Sequence, residues 1–81
     1  MTDTEKISQP IRILLIEDNP ADQILTKHML EKSGYASFNI SIAGTLSKGI
    51  KSTIDDMIDV ILLDLNLPDS SGVETFRKLK L

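Results

Sequence analysis

Two short apolar runs that end abruptly in acid constrain this chain more than any other feature. Ile11-Arg12-Ile13-Leu14-Leu15-Ile16 stops at Glu17-Asp18, and Val60-Ile61-Leu62-Leu63 is bracketed by Asp59 and Asp64. Runs rich in β-branched residues with little polar alternation predict strands buried on both faces, the condition of a parallel sheet. Neither approaches the roughly 20 residues that cross a bilayer, and no signal-peptide pattern precedes the first. A soluble, cytoplasmic-type chain without a membrane segment is expected.

The segments between and after these runs carry helical signals. Asn19-Pro20 is a helix start: Asn caps, and Pro at the first helical position gives up no needed donor. Asp22 puts negative charge in the first turn, and Ile24, Leu25, Met29 and Leu30 form an apolar stripe that Gly34 can stop. A helix over about residues 20–33 is predicted. Phe38, Ile40 and Ile42 alternate with polar residues, as in an edge strand. Ala43, Leu46, Ile50 and Ile54 then recur at helical spacing, weakened by Gly44 and Gly49. After Asp64 comes the turn Leu65-Asn66-Leu67-Pro68-Asp69-Ser70. Ser71 and Glu74 form a capping box for a helix with the stripe Val73, Phe76, Leu79 and Leu81. Residues 1–9 are polar and aperiodic and read as a flexible tail, leaving residues 10–81 as the domain. Tyr35 reads as a packing residue of its loop, and the lone His28 as a surface residue.

The order β-α-β-α-β-α implies parallel strands, right-handed crossovers and an α/β layer structure. In such sheets ligands gather at the carboxyl ends of the strands, where strand order reverses. If the second strand lies on one side of the first and the third on its other side, that place holds Glu17, Asp18 and Asp64. Composition narrows the chemistry. With no cysteine there is no disulfide framework, thiolate metal site or cysteine nucleophile. Twelve acidic against nine basic residues give a net charge of −3, which disfavours a nucleic-acid surface. No Gly-x-Gly-x-x-Gly or Gly-x-x-x-x-Gly-Lys-Ser/Thr motif points to a nucleotide. Acids at strand ends are often helix caps, but three of them ending two adjacent strands repel one another, and a divalent cation with hard oxygen ligands resolves the conflict.

The segments Ile-Leu-Leu-Ile-Glu17-Asp18-Asn19-Pro20 and Ile-Leu-Leu-Asp64-Leu-Asn-Leu-Pro68-Asp-Ser-Ser-Gly72 resemble the receiver domain of two-component response regulators, from about residue 11 onward. The resemblance implies a flavodoxin-like (CheY-like) doubly wound sheet, of which the chain holds the first three of five strand–helix units. It implies that Asp64 is the phosphoacceptor for a histidine kinase or histidine phosphotransfer protein. It implies Mg2+ (or Mn2+) bound by Asp18, Asp64 and the Asn66 backbone carbonyl, with Glu17 acting through water. Pro68 and Gly72 would shape the loop. Such a chain is a phosphoacceptor that assists its own phosphorylation and dephosphorylation, not an enzyme in the ordinary sense.

The family's phosphoryl-binding Ser/Thr and Lys belong to a fourth and fifth strand. Lys78 and Lys80 are helix charges and no substitute. The chain therefore reads as a fragment whose third strand has an unpaired apolar edge, open to a second copy or a swapped partner. Two other phosphate chemistries fit worse. A haloacid-dehalogenase-type hydrolase needs a second acid where Asn66 stands, and a flavodoxin needs a phosphate-cradling loop where Glu-Asp-Asn-Pro stands. A phosphorylation-independent interaction module is the alternative from a different class.

Overall fold

In the computed structural model, which describes residues 9–79, the chain after Pro10 enters β1 (Ile11–Ile16), the centre of the molecule. It continues through α1 (Pro20–Lys32), β2 (Phe38–Ala43), α2 (Leu46–Asp55) and β3 (Val60–Leu63). A small hairpin, β4 (Asn66–Leu67) and β5 (Ser70–Ser71), leads into α3 (Val73–Leu79). The main sheet has the order β2-β1-β3 and is parallel throughout. The predicted tail lies almost wholly outside the described residues, as do Lys80 and Leu81.

Register places Leu15 opposite both Ile42 and Leu62, and Ile16 opposite Ala43 and Leu63. Side chains alternate across a strand, so Leu14 and Ile16 point to one face and Ile13 and Leu15 to the other. All four are buried, Leu14 and Ile16 completely. Burying such a side chain is worth about 1.5–3 kcal/mol. Leu14 and Ile16 form the core with Ala43, Leu46, Leu67 and Leu79, beneath α2 and α3.

Gly49 is what lets α2 come this close. A Cβ there would collide with the Ile16 side chain, 2.9 Å from Cγ1, and Ile16 has no exposed side into which to retreat. The glycine that weakens the helical pattern is thus required by the packing of α2 on β1.

Several sequence-based expectations are corrected. The α1 stripe is not a core face: Ile24, Leu25 and Met29 are exposed and no residue of the helix is buried. This helix packs mainly on the edge strand β2, so it meets little of the sheet's apolar surface. β3 is half-exposed rather than doubly buried, because no described strand pairs with its outer side. Ser71 is engaged in β5 opposite Asn66, and Glu74 pairs with Arg77, so the capping box does not form. The buried residues of α3 are Thr75 and Leu79, while Val73 and Phe76 are exposed. Two hydrogen bonds fix that rotation: the Thr75 N–H donates to the Gly72 carbonyl and its hydroxyl donates to Ser70 Oγ. Ile54 and Tyr35 are also exposed, so neither packs as expected; His28 is exposed as expected.

Candidate metal and phosphorylation site

Main-chain bonds carry the sheet one residue past β1 and β3. The Glu17 N–H donates to the Ala43 carbonyl at 2.9 Å, and the Asp64 N–H to the Ile16 carbonyl at 3.0 Å. Because β3 is the direct neighbour of β1, these bonds bring the acids after the two strands side by side. Carboxylate oxygens of Glu17, Asp18 and Asp64 all lie within 4.8 Å of one another. Asp18 is exposed, whereas Glu17 and Asp64 are half-buried.

Each acid is oriented from nearby backbone. The Asn19 N–H donates to Glu17 Oε2 at 3.2 Å, while the Asn19 side chain caps α1 by accepting from the N–H groups of Ala21 and Asp22. The Gln23 amide donates to the Glu17 carbonyl at 2.6 Å. Asp64 Oδ1 accepts the Asn66 N–H at 3.0 Å, which leaves Oδ2 without that restraint. Asn66 thus meets the cluster through its N–H. Gly72, at φ +63°, makes the left-handed turn into α3, and its N–H closes the loop on the Leu65 carbonyl. Pro68 is exposed at the hairpin tip between β4 and β5.

The electrostatics are one-sided. Among the described residues, Arg12 pairs with Asp59, Lys51 with Asp55 and Arg77 with Glu74, and no cationic side chain reaches the cluster. Burial pushes the Glu17 carboxyl above its ordinary value, and the neighbouring acids Asp64 and Asp22 push the same way, against the Asn19 N–H. Three oxygen donors converging without a counter-charge fit a small divalent cation, which takes hard oxygen ligands.

Sequence reasoning missed three contributors. Gln23 and the second role of Asn19 were hidden inside a helix start. Asp69 was read only as part of a turn, yet its carboxylate accepts the N–H groups of Leu46 and Ser47 at 2.8 and 3.0 Å. No local signal links positions 23 residues apart; only the fact that Asp69 sits at a hairpin tip hinted at a reach.

Comparisons with known proteins agree with the fold. The family model described as "Response regulator receiver domain" matches residues 13–81, and the chain belongs to that family. The chain is 42% identical over 71 residues to the cell cycle response regulator CtrA of Brucella ovis, covering 88% of this chain and 29% of that protein. It is 33% identical over 72 residues to the probable transcriptional regulatory protein TcrX of Mycobacterium tuberculosis, covering 89% of this chain and 30% of that protein. Among solved structures, the MaeR response regulator bound to beryllium trifluoride superposes with a TM-score of 0.76 at 31% identity, covering 85% of this chain and 56% of that one. A CheY-like receiver domain protein from Methanospirillum hungatei gives a TM-score of 0.74 at 31% identity, covering 88% and 54%. The fold is therefore the flavodoxin-like one that the resemblance implied. The chain spans about 30% of the length of these curated relatives.

Proposed function

We propose that this chain is a phosphoacceptor in two-component signalling, taking a phosphoryl group from the phosphohistidine of a histidine kinase or histidine phosphotransfer protein onto Asp64. The observation that carries this reading is the convergence of Glu17, Asp18 and Asp64 within 4.8 Å with no cationic partner among the described residues. Mg2+ (or Mn2+) would be held by Asp18, Asp64 and the Asn66 carbonyl, with Glu17 through water; there it would neutralise phosphoryl oxygens and relieve the repulsion between acceptor and donor.

The protein's own residues supply the positioning. With Oδ1 held by the Asn66 N–H, Oδ2 of Asp64 is the attacking atom. It forms a bond to phosphorus as the phosphorus–nitrogen bond breaks. The electron pair stays on the imidazole nitrogen, which takes a proton from solvent, and the product is an aspartyl acylphosphate. The Asn19 N–H keeps one Glu17 oxygen directed at the start of α1. The chain acts as a reactant that assists its own phosphorylation, not as an enzyme that turns over a separate substrate. The location proposed is the cytoplasm; no described helix is long and apolar enough to cross a membrane.

Beryllofluoride with Mg2+ tests the reading, followed by 19F NMR in the protein at the length of its solved relatives. One adduct is expected, abolished by Asp64→Ala and retained in Asp59→Ala. No adduct with Mg2+ present, or one that survives Asp64→Ala, overturns the phosphoacceptor role and leaves a phosphorylation-independent interaction module.

A further inference from the structure

The two acidic arms of the site come from different strands, and the structure contains a second connection between them besides the sheet. Ile16, immediately before Glu17 and Asp18, packs against Gly49 of α2. Less than one helical turn earlier, the first N–H groups of α2, those of Leu46 and Ser47, are both taken by the Asp69 carboxylate. Asp69 sits at the tip of the hairpin in which Asn66 pairs with Ser71 and Leu67 with Ser70. Asn66, at the base of that hairpin, donates to Asp64 Oδ1. The path from Glu17 through Ile16, Gly49, the start of α2, Asp69 and Asn66 to Asp64 closes a ring around the site.

Within this ring the Asp69 link is the one that joins the loop to α2 by side-chain hydrogen bonds. The rest of the first turn is already provided for: Thr45 Oγ1 accepts the Lys48 N–H, and the Thr45 carbonyl accepts the Gly49 N–H. Of the N–H groups of Leu46, Ser47 and Lys48, which have no acceptor within the helix, Thr45 Oγ1 satisfies the last. The remaining two are turned to a carboxylate from a distant loop, where they and the positive end of the helix dipole favour the anion. We propose that Asp69 is a positioning residue: by gripping the start of α2 it sets where the loop after β3 holds Asp64 and Asn66 relative to Glu17 and Asp18. This rests on the metal-dependent phosphoacceptor reading and adds a residue outside the acidic trio to it.

The test compares Asp69→Ala and Asp69→Asn with Thr45→Ala, which removes a cap from the same helix without touching the loop. Mn2+ affinity is measured by the paramagnetic resonance of the free ion. Asp69→Ala is expected to weaken Mn2+ binding about tenfold, as outer-shell changes at metal sites do. Asp69→Asn, which keeps an acceptor, recovers most of it, and Thr45→Ala binds as wild type. Wild-type affinity in Asp69→Ala, or an equal loss in Thr45→Ala, overturns the proposal. If the wild-type protein binds no Mn2+, the metal reading falls separately, and amide exchange at Asn66 decides the positioning role. Faster exchange in Asp69→Ala but not in Thr45→Ala supports it, and equal exchange in the two overturns it.

Discussion

The two ends of β3 treat the same residue type in opposite ways. Before the strand, Asp59 is gripped by Arg12: its oxygens accept the Arg12 N–H at 2.8 Å, Nε at 3.0 Å and Nη2 at 2.9 Å. The Arg12 guanidinium, above all through these bonds, holds the Asp59 carboxyl below its ordinary value. After the strand, Asp64 lies among Glu17 and Asp18, and burial with like charge pushes Glu17 the other way. Asp69 follows the first pattern, its carboxyl lowered chiefly by the N–H groups of Leu46 and Ser47, with Lys78 adding to the effect. An acid whose charge the protein answers is part of the scaffold. An acid cluster whose charge no described residue answers is where the proposed cation and reactive group would sit.

The largest expected contrast is chemical. Asp64→Ala should abolish the beryllofluoride adduct and Asp59→Ala should leave it intact; if both lose it, the two ends of the strand are not functionally distinct. Next is metal affinity. Asp18→Asn should weaken Mg2+ binding by at least about tenfold in a calorimetric titration, whereas Asp59→Asn, at the far end of the sheet, should not change it.

The packing beneath the site comes next. Gly49→Ala forces a methyl into Ile16 and should destabilise the fold by about 1–3 kcal/mol in urea unfolding, whereas Gly44→Ala, whose Cβ would meet nothing within 4 Å, should be close to neutral. An equal effect of the two would mean that α2 does not press on β1 at the acidic end.

The smallest effects are in the pH dependence of stability, and their signs differ between the ends. Asp59 and Asp69 have lowered folded-state values, so the stability they provide is present at neutral pH. It should be lost as pH falls below about 4 and through those lowered values. Glu17 has a raised value, so the folded form holds its proton longer than the unfolded chain does. Stability should therefore fall as pH rises from the ordinary carboxylate value through the raised one, and saturating Mg2+ should remove that loss. Thermal midpoints measured across pH with and without Mg2+ check both; Asp64→Asn should reduce the second, leaving the part due to burial.

Much of this was legible in the sequence because it rests on local rules. Asn19 caps α1 and Pro20 opens it, as their chemistry requires. β1 is buried as its apolar run implied, and β2 is an edge as its alternation implied. The acidic trio was legible because parallel βα order puts strand ends together. Helix faces were less legible. Ile24, Leu25, Met29, Val73 and Phe76 lie at core-like spacing but are exposed, since a stripe states that a face is apolar and not that a partner covers it.

The sequence by itself determined the parallel α/β order and the three carboxylates that end its two apolar strands. Periodicity, capping chemistry and charge are properties of neighbouring residues. Tertiary structure alone decided that Gly49 serves as a seat for Ile16, that Thr75 rather than Phe76 is buried, and that Asp69 reaches the start of α2. Those outcomes depend on close approach between segments far apart in the chain, where a methyl group or a hydrogen bond of about 3 Å selects one arrangement.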